Sequence, residues 1–248
     1  MRFEIQKSMN NFSGRSVTNI TLHLIIINAL MLGATSVLKN RGIDLNSLLG
    51  LHYYASGQFH WWQSVTYMFM HGNFTHLFNN MFTLYMFGRL MEMVWGERRF
   101  IIYYLFTGIG AALVQQLAWR YDMGSLVDEV LAQNPGSTFT YSELITEGIA
   151  ISGGGHFSID QLVTVGASGS VFGILLAFGM MFPDARIFLL IPPMPMKAKW
   201  LVILYGFFEF FAGVWGYQSG VAHFAHLGGM LFGFILIMFW RRKRNIEF

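Results

Sequence analysis

Apolar residues gather into six long runs, 18–38, 76–95, 100–119, 162–182, 200–215 and 221–240, and the polar residues collect between them. About 20 consecutive apolar residues carry a helix across a bilayer core, and several runs approach or exceed that length. Backbone groups in lipid must pair within the chain, so each run predicts a helix except where it lines a cavity. The pattern predicts an all-α membrane protein, a six-transmembrane-helix bundle over 18–240. A short segment, 1–17, precedes it and a basic tail, 241–248, follows. Of the connecting segments, 39–75 carries Trp61-Trp62 and the apolar stretch Val65 to Met70, too short to span and suited to the interface. Segment 120–161 holds Asp122, Asp128, Glu129, Glu143, Glu147 and Asp160, with Pro135 and Gly153 to Gly155 as breakers. It reads as a partly helical acidic cap inserted on the outer side.

Charge orients the bundle. With six spans, all but three of the 16 lysines and arginines fall on one side, and the other side holds only Lys39, Arg41 and Arg120. Cations are retained in the cytoplasm, so both termini are expected there, in a membrane of the prokaryotic inner type. Arg241, Arg242, Lys243 and Arg244 then anchor the last span, and no nucleic-acid partner is implied. The first run starts too late and lacks a cleavage-competent loop, so it is read as a span rather than a signal peptide. With 54% hydrophobic and 12% charged residues and no cysteine, the sequence excludes a thiol nucleophile, disulfides and thiolate metal sites. Nothing in it specifies an oligomeric state, and no internal repeat is visible.

Polar groups at membrane depth are costly and mark either function or satisfied packing. Run 76–95 opens with His76, and Asn80 follows one turn later on the same face, continued by Thr83. Ser168 lies in Gly166-Ala167-Ser168-Gly169 near the start of the fourth run, and His223 and His226 near the start of the sixth. All three runs travel from outside to inside, so these groups share one shallow layer. Gly169/Gly173 and Gly229/Gly233 are small-xxx-small pairs that let helices approach closely, although such pairs alone are common in plain packing. A serine nucleophile needs a base, usually histidine, and donors for the oxyanion, which a helix starting at Ser168 supplies from its unpaired N–H groups. His226 is favoured over His223 as the base because Gly229 and Gly233 lie three and seven residues beyond it, on one thin face.

Other residues fit blander roles. Ser170 should face away as a packing hydroxyl, Asn79 should bond a neighbouring helix, and Glu209 is read as a polar lock between helices rather than a triad acid. Phe207, Phe208, Phe210, Phe211 and Trp215 read as lipid-facing bulk that would also suit a lateral gate. Metalloprotease chemistry would need HExxH, which is absent, and an aspartyl mechanism needs two aspartates inside spans, where none occurs. A transporter is disfavoured because the polar groups form one shallow layer rather than a route across the bilayer.

Gly166-Ala167-Ser168-Gly169, His76-Leu77-Phe78-Asn79-Asn80 and the run Ala225-His226 to Gly233 resemble the GxSG, HxxxN and AHxxGxxxG motifs of the rhomboid intramembrane serine proteases. The resemblance covers roughly 62–240 and includes Gly88, Glu92 and Gly96. It implies a Ser168/His226 dyad without an acid, with His76, Asn80 and Gly166 at the oxyanion. Gly169, Gly173, Gly229, Gly233 and Phe172 would pack the site. It further implies water entering from outside, transmembrane protein substrates cut near the outer boundary, and no metal or organic cofactor. The chain departs from many relatives in lacking a Trp-Arg pair in the first outer loop, in carrying Phe172 where tyrosine is frequent, and in the length of 120–161. An inactive rhomboid-like protein that escorts or retains clients is the alternative, but that class loses the serine or histidine, and both are present here. The topology is testable: cysteine introduced at Thr140 should react with an impermeant maleimide in intact cells, and cysteine at Lys197 should not. The reverse pattern would put the polar layer on the wrong face.

Overall fold

In the computed structural model, which describes residues 19–133, 149–151, 155–157, 159–188, 194–216 and 221–243, helix α1 spans Ile20–Lys39. Its N-cap residue Asn19 makes no side-chain capping bond. The capping acceptor comes instead from Glu92, far along the chain. Its Oε1 accepts from the Ile20 N–H (2.7 Å), and Oε2 accepts from the Thr21 N–H (3.0 Å) and Thr21 Oγ1 (2.6 Å). A carboxylate at this end also meets the positive end of the helix dipole. Arg89 Nη1 donates to Asn19 Oδ1 at 2.9 Å, so the joint ties α1 to the second helical run through two side chains.

That second run is α2, Phe74–Thr83, a π-helical turn Leu84–Gly88, and α3, Arg89–Trp95. Asn73 caps α2 by accepting from the His76 N–H at 2.8 Å, and α3 stops at Gly96, whose φ of +76° favours glycine. Helix α4, Glu97–Gln133, follows, then α5, Ser168–Met181, α6, Ala198–Val214, and α7, His223–Arg242. Among the described residues α1, α4 and α7 are long and apolar enough to cross a membrane, and α5 is a shorter apolar helix. Many large apolar side chains face outward, among them Ile26, Leu30, Leu113, Leu117, Ile203, Phe207 and Phe234. An aqueous surface would not tolerate that much exposed hydrocarbon, and lipid requires it.

Two expected boundaries shift. Helix α4 runs past 119 to Gln133, so the acidic insertion begins as a continuation of that helix. Residues 134–148, with Pro135, Glu143 and Glu147, lie outside the described residues. The fourth run does not begin as helix at 162. Strand β4, Val163–Thr164, pairs antiparallel with β1, Leu51–His52 (Leu51↔Thr164, His52↔Val163), and helix starts only at Ser168. Backbone that is not helical at this depth is tolerated because it lines a cleft, where its polar groups are not exposed to lipid. Strands β2, Ile149–Ile151, and β3, Gly155–Phe157, form a second antiparallel pair, and β5, Arg186–Phe188, and β6, Pro195–Lys197, a third. Beside this last hairpin the ammonium groups of Lys197 and Lys199 both bond Asp184 Oδ1, at 3.0 and 3.1 Å, and hold its carboxyl below the ordinary range.

At the centre, α5 is packed between α4 and α7. Lipid gives apolar helices little hydrophobic reason to associate, so close packing and interhelical hydrogen bonds must do it. Tyr103 Oη donates to the Gly173 carbonyl (2.8 Å), and Ser170 Oγ to the Tyr104 carbonyl (2.7 Å). Tyr67 Oη donates to the Gly108 carbonyl (2.7 Å), tying the short helical segment before α2 to α4. Of all these joints the Glu92 carboxylate carries the most donors. Glu92→Ala should cost about 2–4 kcal/mol because three donors at the start of α1 lose their acceptor. Thermal unfolding in detergent measures this, and an unchanged midpoint would show that the joint is dispensable.

Candidate active site

The chain reaches Ser168 through a bend that only glycine permits. After β4, Gly166 adopts φ +134°, and a Cβ there would lie 2.8 Å from Cε1 and Nε2 of His76. The Gly166 N–H donates to the Tyr67 carbonyl at 2.9 Å, which fixes the bend. That donor is therefore spent. Contrary to the expectation that Gly166 helps hold an oxyanion, what it contributes is space for the His76 ring. Ser168 is the first residue of α5, so its N–H and those of Gly169 and Ser170 have no acceptor four residues back. Ser170 turns away into its bond with the Tyr104 carbonyl.

Helix α7 comes against α5 at Gly229, where an added Cβ would strike the carbonyl of Gly169, and a Cβ on Gly173 would come 3.0 Å from the Gly229 carbonyl. Gly233 does something different from the expected pairing. It faces α4, where a Cβ would overlap the Tyr103 hydroxyl and crowd Thr107. Its absence of side chain lets Tyr103 reach the Gly173 carbonyl. Close contact at Gly229 brings His226 Nε2 to 2.8 Å from Ser168 Oγ. Phe172, one turn beyond the serine, lies flat on the imidazole, with ring centroids 4.3 Å apart and planes 5° apart. The stack fixes the ring plane without offering a donor.

On its far side the His226 ring meets Glu209 of α6, whose Oε2 lies 2.9 Å from His226 Nδ1 and 2.6 Å from His223 Nδ1. The contact to His223 is an aligned hydrogen bond. The one to His226 is 0.3 Å longer and is not aligned as a hydrogen bond. All three residues are buried, and their ligand atoms lie within 4.8 Å of one another, the one such group among the described residues that could hold a metal ion. Glu209 is thus the lock between α6 and α7 that the sequence suggests, but it also touches the histidine that faces the serine.

Ser168 and His226 open into a cleft of about 900 Å³ lined also by His76, Asn79, Asn80, Gln115, Trp119, Gln161 and the extended segment 162–165. Asn80 is buried at the cleft wall, and its Nδ2 has no hydrogen-bond partner among the described residues. Asn79 is exposed and lines the cleft rather than sitting between helices.

A family model described as the rhomboid domain matches residues 58–243 of this chain. The chain belongs to the rhomboid family. Over 116 residues it is 37% identical to Rhomboid-like protein 11, chloroplastic, of Arabidopsis thaliana, a match covering 47% of this chain and 39% of that protein. Family membership and the apolar helices together make this rhomboid an integral membrane protein.

Sequence reasoning about this rhomboid missed the cleft's other wall. Gln115 and Trp119 project from α4, and Gln161 and Leu162 precede β4. Gln115 carried a signal, since an amide within an apolar run is costly unless it is used. Gln161 carried none, because it ends a short 3-10 turn, Ile159–Gln161, just before the β1–β4 pairing. The helix contact that closes the site is testable by one methyl group. Gly229→Ala should cost about 1–3 kcal/mol by overpacking. By displacing His226 it should also slow labelling of Ser168 by a fluorophosphonate about a hundredfold. Gly33→Ala, which points into open space, serves as the control and should change neither.

Proposed function

We propose that this protein is a six-span rhomboid serine endopeptidase that cuts transmembrane protein substrates near the outer membrane boundary. The observation that carries the reading is the 2.8 Å approach of His226 Nε2 to Ser168 Oγ at the head of a helix that opens into a polar cleft. A protein that only escorts clients has no use for that pairing. Its support at membrane scale is the six apolar runs and the cation asymmetry, from which we read both termini as cytoplasmic and the cleft as facing outside.

In this mechanism Ser168 Oγ attacks a substrate carbonyl carbon while its proton passes to His226 Nε2, and the carbonyl π pair moves onto oxygen. The oxyanion is received by the unpaired N–H groups at the start of α5, by Asn80 Nδ2 and by His76. Collapse breaks the C–N bond as His226 returns the proton to the leaving amine. Water from the cleft then attacks the ester, giving its proton to the same nitrogen, and Ser168 recovers it on release of the acid. No step requires a metal or an organic cofactor. A helical substrate hides its carbonyls in hydrogen bonds, so sites with helix-breaking or small residues should be preferred.

The test uses purified protein and fluorescent membrane-span substrates. Ser168→Ala should abolish cleavage, and Ser170→Ala should retain much of it. His226→Ala should lose several orders of magnitude in rate, and His223→Ala about tenfold or less. Full activity of folded His226→Ala, or of Ser168→Ala, would overturn the reading.

A further inference from the structure

Glu209 is an ionisable group buried in an apolar helix, and such a group is retained only where partners compensate it. A lock between α6 and α7 needs one partner, and the aligned 2.6 Å bond from His223 Nδ1 already provides it. The same oxygen nevertheless lies 2.9 Å from Nδ1 of His226, whose other nitrogen faces Ser168 Oγ at 2.8 Å. Carboxylate, imidazole and hydroxyl therefore stand in series across α6, α7 and α5. We propose that Glu209 is a positioning residue that acts through His226, making the serine–histidine pair a three-member relay.

The chemistry follows from the order of contacts. To accept the Ser168 proton, Nε2 must carry a lone pair, which in a neutral imidazole puts the hydrogen on Nδ1. The carboxylate beside Nδ1 favours that tautomer and, after proton transfer, faces the imidazolium across 2.9 Å in a site largely closed to water. Phe172 holds the ring plane, and Nδ1 stands within hydrogen-bond distance of Oε2. His223 fixes the carboxylate from its other side and keeps it from turning away. Glu209 itself takes no proton from the substrate and forms no bond to it.

The proposal rests on the protease reading, and the experiment separates the two. Wild type, Glu209→Gln, Glu209→Asp and His223→Ala are compared in detergent for kcat, KM, the rate of Ser168 labelling by a fluorophosphonate, and the unfolding midpoint. Glu209→Gln should lower kcat about 10- to 100-fold with KM within about twofold, and slow labelling to match. Its unfolding midpoint should stay close to that of His223→Ala, which breaks the same lock yet retains the carboxylate charge. Glu209→Asp should recover part of the lost kcat because the charge remains. Should Glu209→Gln fail to fold, Glu209→Asp decides: a folded protein with reduced kcat and unchanged KM supports the role, and wild-type kcat removes it. A Glu209→Gln protein no slower than His223→Ala, or slowed only through KM or lost stability, overturns the proposal. So does activity that a chelator removes and zinc restores, which would assign the three side chains to a metal. A wild-type protein that neither cleaves nor labels at Ser168 would instead remove the underlying reading.

Discussion

Everything at the site depends on two backbones touching. At Gly169 and Gly229 the helices α5 and α7 lie so close that one methyl group on Gly229 would strike a main-chain carbonyl. A histidine side chain is short, and its nitrogen meets the serine at hydrogen-bond distance only if the helices carrying them lie this near. In lipid that approach cannot be driven by excluding water from apolar surface, so it is held by dispersion contacts and by hydrogen bonds from flanking helices. Tyr103 supplies one such bond to the Gly173 carbonyl, and Gly233 makes room for it. The second small-xxx-small pair therefore serves α4 as much as α5, and the packing unit is three helices rather than two.

The approach to the serine adds a second constraint. A helix starting at residue 162 would have consumed the N–H groups of Ser168, Gly169 and Ser170 in ordinary helical bonds. The short β1–β4 pairing, the positive φ of Gly166 and the bond from its N–H to Tyr67 delay the helix start to Ser168. Those three donors are thereby left at the head of α5, beside a cleft rather than in lipid. The cost of irregular backbone at membrane depth is offset by the same pairing that shapes the cleft wall.

Two buried carboxylates in this chain each meet partners from another helix. Glu92 caps a helix some 70 residues earlier, and Glu209 meets two histidines on the next helix. The first is a joint whose donors are all main chain or hydroxyl. The second touches an ionisable ring that faces a hydroxyl, a series of contacts that the first does not have.

The sequence alone determined a good deal, for reasons intrinsic to lipid. Apolar runs of membrane length had to become helices, and the family motifs marked Ser168, His226, His76 and Asn80 before any contact was known. The three-residue offset between His223 and His226 also placed only His226 on the glycine face, a register that helical periodicity sets by itself. Tertiary structure decided what periodicity cannot express. The extension of α4 to Gln133, the late start of α5, the spent N–H of Gly166 and the turn of Gly233 toward α4 all depend on pairings between segments distant in sequence. Glu209 shows the limit most clearly. Its sequence neighbours are aromatic and apolar, and they suit a lock as well as a catalytic partner. Only the separation of α6 from α7 set which histidine nitrogens its carboxylate would face.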